Sequence, residues 1–326
     1  MTGRRDVIKA GLATLAATQA LPAWSAEKSK EKKDKDKPRP PPSAPLMTKA
    51  VPSTGERLAA IGVGTNNYSP TTVDERAARR EVLAGLTAAG ASVIDTAPAY
   101  RQSEQVIGEL LSDIGNRKQA FIATKVTAPE GSLQRGIEMI EASFTKLKTD
   151  VIDLLQIHSL NGVEVLFPHL NQLKAKSRIR YIGITTSSAS QHEQMVQLIK
   201  TQPLDFVQVD YSLGNRQSAE TVLPAALEKR VGVFVNMPFG GRNANTNLFS
   251  RVSGRDLPEW ATQIDARNWS QVFLKYVVSH PAVTVAIPGM TKLGHLQDNL
   301  EAIRGRMPDA MQRARIEKFW DQNFES

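Results

Sequence analysis

The feature that most constrains the fold is a regular alternation between short apolar runs and segments with a helical pattern of apolar residues. Eight runs are mostly apolar on both faces, as buried parallel strands are. The predicted strands cover residues 59–64, 92–97, 121–125, 153–158, 181–185, 206–211, 232–237 and 284–288. Predicted helices cover residues 74–89, 105–114, 133–147, 163–175, 191–199, 221–228 and 260–278. Eight strands with helical segments between them predict an α/β fold with one domain, a closed (β/α)8 TIM barrel.

An open, doubly wound sheet is the alternative fold for the same alternation. That fold would favour a glycine-rich phosphate loop after the first strand. The first predicted strand ends with Gly62, Val63, Gly64 and Thr65, which do not match the G-x-G-x-x-G pattern. The sequence therefore favours the barrel.

The positive charge of the chain is concentrated near its beginning. Residues 1–40 contain ten Lys or Arg and five Asp or Glu, so they carry +5 of the total net charge of +8. The remaining +3 is too small to indicate a nucleic-acid-binding surface on the folded part. The chain has no cysteine, which excludes disulfides and thiolate metal sites and is compatible with an oxidising compartment.

The first 26 residues have the pattern of a secretory signal peptide. Arg4 and Arg5 precede a mildly apolar run over residues 10–20, and the segment ends with the small residues Ser25 and Ala26. The run is too short to span a membrane, so no stable span is expected. The paired arginines resemble a twin-arginine signal, which implies the twin-arginine export machinery as a partner and a periplasmic or otherwise exported protein.

A segment rich in charge and proline follows the predicted signal. Residues 27–54 contain few apolar side chains, and five prolines lie between Pro38 and Pro45. Such a composition cannot bury a core and predicts a disordered linker. The predicted organisation is a signal over residues 1–26, a linker over 27–54 and a barrel over 55–326.

Three of the predicted strands end in or near a residue that can ionise: Asp95, Lys125 and His158, with Tyr100 five residues after Asp95. In a β/α barrel all strands deliver their last residues to one rim, where the active sites lie. We therefore expect these four side chains to converge. A lone His or Asp at a strand end is as often structural, but a buried Lys is costly without a partner.

The four residues form a set that can protonate a carbonyl oxygen. Hydride transfer to a carbonyl places negative charge on the oxygen, which needs an acid and hydrogen-bond donors. Free tyrosine is a weak acid with a pKa of roughly 10, and a nearby ammonium lowers that value. Lys125, held by Asp95, can act on Tyr100 in this way, while His158 can orient the substrate oxygen.

Several stretches resemble the aldo/keto reductase family in the order that the family has them. They are residues 93–100 (VIDTAPAY), 124–125, 153–158 (DLLQIH), 180–185 and 287–289. The resemblance extends from about residue 55 to 320. It implies a barrel that binds NADP(H) and reduces small aldehydes or ketones without a metal. It also implies that Tyr100 is the proton donor, that Asp95 and Lys125 tune it, and that His158 orients the carbonyl.

The resemblance also implies cofactor-binding positions. Thr185 and Thr186 occupy the place of a Ser–Asn pair that holds the nicotinamide carboxamide, and Gln208 matches the Gln that completes this site. Asn236 and Pro238 lie in the segment where many members place an aromatic ring against the nicotinamide, and Asn236 cannot stack in that way. Gln208 could instead be a barrel-lining amide with no cofactor role.

The adenosine end departs from the family pattern. Gly289, Met290 and His295 occupy the positions of the Lys, Ser and Arg that grip the 2′-phosphate in many members. Asp298 and Asn299 match the pair that contacts adenine, and Lys292 is close enough in sequence to replace the lost charge. The resemblance thus implies NADP(H), with a modest preference that leaves NAD(H) as a second candidate. Alternatively, Lys292 and His295 only begin a solvated helix.

Two other functions remain open from the sequence. A barrel that keeps the cofactor but serves as a non-catalytic, redox-sensing subunit is one, although the full set of four residues argues against it. A barrel hydrolase with paired carboxylates is the other, and no such pair stands at the predicted strand ends.

Overall fold

The computed structural model describes residues 44–241, 243 and 245–324. Within them the strands are β1 (Thr48–Ala50), β2 (Arg57–Ala59), β3 (Val63–Gly64), β4 (Val93–Asp95), β5 (Phe121–Val126), β6 (Ile152–His158), β7 (Ile179–Thr185), β8 (Phe206–Asp210), β9 (Gly232–Asn236) and β10 (Val283–Ala286). The α-helices are α1 (Val73–Ala88), α2 (Ser103–Ile114), α3 (Leu133–Leu147), α4 (Val163–Ala175), α5 (His192–Thr201), α6 (Val222–Glu228), α7 (Leu248–Arg251), α8 (Trp269–Val278), α9 (Leu293–Glu301) and α10 (Ala310–Phe324).

Strands β3 to β10 form one parallel sheet that closes on itself. Each strand pairs with the next in chain order, and the ends of the sheet meet through the bridges Ile61–Ala286 and Gly64–Gly289. The Gly64 amide donates to the Pro288 carbonyl at 2.9 Å. A Cβ at residue 64 would lie 2.5 Å from the Ile287 carbonyl oxygen, so closure at this point requires glycine. The predicted (β/α)8 barrel is confirmed, and the open sheet is excluded.

The barrel has two apolar layers. The outer layer lies between the helices and the strands. The inner layer, inside the barrel, is a small cluster that contains Phe121, Tyr181, Phe206 and Phe234. The rings of Phe206 and Phe234 lie 5.0 Å apart in an edge-to-face arrangement, which adds about 0.5–1.5 kcal/mol beyond the area that they bury. This aromatic cluster fills the lower part of the barrel and supports the polar side chains above it.

A β-hairpin corrects the predicted boundary between linker and barrel. Strands β1 and β2 pair antiparallel, with Thr48 opposite Ala59, so the predicted linker over residues 27–54 extends too far. Val51 is fully buried in the inner cluster, and the Lys49 ammonium donates to the His280 and Val283 carbonyls at 2.9 and 2.7 Å. These contacts with distant parts of the chain give the hairpin its stability, and a short polar sequence does not reveal them.

Several helical regions also differ from the prediction. The predicted helix over residues 260–278 is a 3₁₀ segment, Glu259–Ile264, followed by α8, because Asp265 is left-handed (φ 53°) and the Asn268 side chain caps α8. Helices α7, α9 and α10 are absent from the predicted elements. Helix α10 is fixed by Ile316 and Trp320, which are buried in the outer layer. Within the described residues no helix is long and apolar enough to cross a membrane.

Candidate active site

Polar side chains fill the barrel interior above the aromatic cluster because side chains alternate along a strand. Phe121 and Ala123 belong to the inner cluster, so Lys125 lies on the same face of β5, two residues further on. Asp95 likewise lies on the same face of β4 as Val93, and Asn236 lies on the same face of β9 as Phe234. The same period places Gln156, His158 and Gln208 toward the interior. The apolar lower layer and the polar rim thus arise from one alternation.

The centre of the site is a buried ion pair between Lys125 and Asp95. The Lys125 Nζ lies 2.7 Å from Asp95 Oδ2 and donates to the Thr96 carbonyl at 2.8 Å. Lys125 is 1% exposed and Asp95 is 2% exposed. Burial lowers the pKa of the Lys125 ammonium, but the Asp95 carboxylate and the Tyr100 hydroxyl outweigh this effect and raise that pKa above its ordinary value. Lys125 is therefore a fixed positive charge.

Tyr100 and His158 lie beside this charge. The Lys125 ammonium is 5.0 Å from the centre of the Tyr100 ring, and the rings of Tyr100 and His158 meet edge to face at 6.3 Å. Burial and the Lys125 charge lower the pKa of His158 to about 4, although Asp95 opposes the shift. His158 is therefore neutral near pH 7 and can donate one N–H. The structure brings the four predicted residues together on one rim.

Two amides hold the other oxygen of Asp95, and one of them was not identified as a site residue from the sequence. Gln208 Nε2 donates to Asp95 Oδ1 at 2.8 Å, and Gln156 Nε2 is 3.3 Å from the same atom. Gln156 is fully buried, and the missing side chain of Gly183 makes room for it, since a Cβ there would lie 3.0 Å from Gln156 Cγ. Its position two residues before His158 was the available signal.

Glu104 is a second residue that the sequence does not single out. It is 2% exposed at the start of α2, where its Oε1 accepts from the Thr124 hydroxyl at 2.6 Å, directly before Lys125 in the chain. Burial raises the pKa of Glu104, and the hydrogen bond from Thr124 opposes this. The carboxyl group supports β5 from behind and does not reach the cavity.

A cavity of about 310 Å³ opens beside Tyr100 on this rim. It is lined by backbone and side chains from the ends of β3, β4, β8, β9 and β10, namely 64–67, Asp95, Tyr100, Gln208, 236–241, Asn247 and 287–289. Of the predicted cofactor residues, Gln208, Asn236, Pro238 and Gly289 line it. In the described part of the chain no group of three or more His, Asp or Glu could hold a metal ion.

Thr185 and Thr186 do not line this cavity. The Thr185 hydroxyl donates to Gln208 Oε1 at 3.3 Å, and the Thr186 hydroxyl donates to Gln191 Oε1 at 2.5 Å. Both threonines are buried. The two hydroxyls thus form internal hydrogen bonds, and the Gln208 amide nitrogen is directed toward Asp95.

The predicted adenosine end divides into an exposed part and an internally bonded part. Lys292 precedes α9, and both it and His295 are exposed, while Met290 is fully buried. Asp298 Oδ1 accepts from Asn268 Nδ2 at 2.7 Å and from Gln271 Nε2 at 2.8 Å. Asn299 Oδ1 accepts from the Ser270 hydroxyl at 3.0 Å, so Asp298 and Asn299 join α9 to the start of α8.

The sequence profile of the Aldo/keto reductase family matches residues 60–321, and the chain belongs to this family. Aldo-keto reductase YhdN of Bacillus subtilis is 32% identical over 198 residues, which cover 56% of this chain and 59% of that protein. Methylglyoxal reductase YeaE of Escherichia coli is 29% identical over 263 residues, which cover 78% of this chain and 88% of that protein. The chain thus spans little more than half of the first relative and most of the second.

Solved structures of the family share the fold. An aldo-keto reductase of Bacillus halodurans in its holo form is 22% identical, with a TM-score of 0.67 over 84% of this chain and 96% of that one. An aldo-keto reductase of Klebsiella pneumoniae in complex with NADPH gives the same TM-score, identity and coverage. At this identity the likeness supports the barrel and its strand order.

Proposed function

We propose that the protein is an NADP(H)-dependent reductase that converts aldehydes or ketones to alcohols, with Tyr100 as general acid. The observation that carries this proposal is the buried Lys125–Asp95 pair beside Tyr100, with His158 edge to face against the same ring. Family membership and a related methylglyoxal reductase support the reaction class. The natural carbonyl substrate is a small molecule that fits beside Tyr100.

Each residue has a role that follows from its surroundings. The fixed ammonium of Lys125 stabilises negative charge on the Tyr100 oxygen when the proton leaves it. Asp95 compensates the buried charge of Lys125, and the amides of Gln156 and Gln208 fix the carboxylate. His158 is neutral and can donate to the substrate oxygen without competing for its proton.

The rim fits a nicotinamide cofactor. The cavity that contains Tyr100 also presents Gln208, Asn236 and the open backbone at Gly289, where a Cβ would have no contact below 3.6 Å. When bound, the cofactor supplies the hydride, and the residues of the chain bind it and deliver the proton. NADP(H) is the proposed cofactor, as in the Klebsiella pneumoniae complex, and NAD(H) is the second candidate.

The test is whether the purified protein turns over a panel of small aldehydes and ketones. Turnover is monitored as the decrease in NADPH absorbance. Native mass spectrometry of the same preparation identifies any dinucleotide that it retains. Absence of turnover with every carbonyl, together with dinucleotide binding, would contradict a reductase and favour the redox-sensing alternative. If the protein binds neither NADPH nor NADH, both the reductase proposal and the redox-sensing alternative are contradicted.

Replacement of Lys292 by Ala tests the proposed preference for NADP(H). Lys292 is an exposed cation directly before α9, and neither Gly289 nor Met290 can supply a charge to a 2′-phosphate. The imidazole of His295 is a weaker phosphate partner than the bidentate guanidinium of an Arg. Loss of one charge-assisted contact corresponds to about 1.5–3 kcal/mol, so the Kd of NADPH should rise roughly 10- to 150-fold while that of NADH stays constant.

The measurement is calorimetric titration of each cofactor at fixed salt. The matched control is Lys318→Ala on α10, which removes the same charge outside the predicted cofactor positions. An unchanged ratio of the two dissociation constants in Lys292→Ala would show that another group binds the phosphate.

We also propose that the protein is exported through the twin-arginine route. The sequence of residues 1–26 carries this proposal, since the predicted signal lies outside the described residues. Replacement of Arg4 and Arg5 by Lys should hold the precursor in the cytoplasm, because the charge remains but the paired arginines are lost. Cell fractionation with mass analysis of the N-terminus measures the outcome. Lys9→Arg should be exported normally, and export of the double-Lys variant would contradict the route.

A further inference from the structure

Asn236 is a polar residue in a place where its neighbours do not satisfy it fully. It ends β9, follows Phe234 on the interior face of the strand and lines the cavity with Asp95, Tyr100 and Gln208. Its side chain is half-buried, and its Oδ1 is inaccessible to solvent and has no hydrogen-bond partner among the described residues. A buried acceptor without a donor is unfavourable, so this atom needs an explanation.

The neighbours of Asn236 fix the orientation of its amide. Its Nδ2 lies 3.5 Å from both the Thr186 carbonyl oxygen and Gln208 Oε1, which are acceptors. A reversed amide would place Oδ1 against these two acceptors and would lose both contacts. The nitrogen is therefore directed at β7 and β8, and Oδ1 is left without a donor in a residue that lines the cavity.

The nearby polar groups cannot take over this function. The Thr186 hydroxyl donates to Gln191 Oε1 at 2.5 Å and accepts from the Ser188 amide at 3.0 Å. Gln208 Nε2 is committed to Asp95, and Gln208 Oε1 accepts from the Thr185 hydroxyl. Among these residues Asn236 has the one side-chain amide acceptor that lines the cavity and lacks a donor.

The backbone turns sharply after Asn236. Met237 has a φ of 48°, a left-handed conformation that is unfavourable for a residue other than glycine. The Gly240 amide donates to the Met237 carbonyl at 2.8 Å and closes a tight turn directly after the strand. Residues 236–241 line the cavity, so this turn holds Asn236 at the cavity wall.

We infer that Asn236 binds the nicotinamide carboxamide by a hydrogen bond, with its Oδ1 accepting from the carboxamide NH₂. The inference rests on the proposed function, since it requires a nicotinamide cofactor in this cavity. Two departures from the family pattern then compensate each other. Thr186 lacks the side-chain amide that the family has at its position, and Asn236 lacks the aromatic ring. The amide that binds the carboxamide is then supplied by Asn236 at the end of β9.

An analogue that lacks the donor tests this contact directly. The 3-acetylpyridine analogue of NADP⁺ has a methyl group in place of the carboxamide NH₂. For the wild type, calorimetric titration should give a Kd that is about 5- to 150-fold higher for the analogue than for NADP⁺, because Oδ1 would stay unpaired. In Asn236→Leu the two dissociation constants should agree within about twofold, since the acceptor is gone.

Two further variants separate this contact from general damage. Asn236→Ala removes the acceptor without added bulk and should also lose the discrimination. Asn116→Leu is the matched control, because Asn116 also has a buried Oδ1 without a partner and lies outside the cavity. This control should discriminate as the wild type does.

The outcomes distinguish this inference from the proposed function. Equal binding of NADP⁺ and the analogue by the wild type would overturn the hydrogen bond and leave the reductase proposal intact. Persistent discrimination in both Asn236→Leu and Asn236→Ala would assign the acceptor to another group and also overturn it. If the wild type binds neither dinucleotide, the proposed cofactor and the inference fail together.

Discussion

Replacement of Tyr100 by Phe should lower turnover by roughly 10²- to 10⁴-fold, the range that general acid catalysis contributes. The ring stays in place beside the Lys125 ammonium and against His158, so only the proton donor is lost. The half-buried position of Tyr100 predicts little change in folding, and the Kd of NADPH should stay within about twofold. Stopped-flow measurement of NADPH oxidation with an excess of aldehyde isolates the chemical step.

The matched control is the same change at Tyr68. That residue is fully buried, its hydroxyl has no partner among the described residues, and burial raises the pKa of its hydroxyl. Tyr68→Phe should leave turnover unchanged, because it removes a hydroxyl that has no hydrogen-bond partner and belongs to a residue that does not line the cavity. Full activity of Tyr100→Phe would show that another donor protonates the carbonyl and would contradict the proposed mechanism.

The barrel could be predicted because its signal is local. Eight apolar runs of strand length alternate with helical patterns, and the apolar composition of each run alone indicates that it is buried. The convergence of Asp95, Lys125 and His158 follows from the same signal, since parallel strands bring their ends to one rim. The β1–β2 hairpin and α10 depend instead on contacts with distant residues, such as those of Lys49 and Trp320, which a local pattern does not contain.

The details of the site were less predictable because they depend on which hydrogen bonds each polar group forms. The family pattern predicts that Thr186 contacts the cofactor, and in the structure its hydroxyl bonds with Gln191, only five residues away. The same pattern assigns Asp298 and Asn299 to adenine, and in the structure they bond with residues at the start of α8. The sequence identifies which residues can bind a ligand. Tertiary contacts decide which of these side chains already form hydrogen bonds within the protein.

Replacement of Lys125 by Met should affect both activity and folding. The Met side chain fills a similar volume but leaves the Asp95 carboxylate without a counter-ion. Asp95 is only 2% exposed, so water cannot replace the lost charge. Loss of one partner from a buried ion pair typically lowers the free energy of unfolding by about 3–5 kcal/mol. Turnover should fall by roughly 10²-fold or more, because no cation remains to stabilise the Tyr100 oxyanion.

A second Lys–Asp pair, outside the active site, separates these two effects. Lys174 on α4 binds Asp205 Oδ2 at 2.5 Å; the Lys174 side chain is 39% exposed, while Asp205 is buried and also accepts from the Ile182 amide at 2.9 Å. Lys174→Met should lower the free energy of unfolding by less than Lys125→Met does, because that amide still binds the Asp205 carboxylate, and it should leave turnover unchanged. Urea unfolding gives the stability of each variant, and aldehyde turnover is measured well below the unfolding transition. If Lys125→Met were as stable and as active as Lys174→Met, the buried pair would contribute neither to the fold nor to proton transfer.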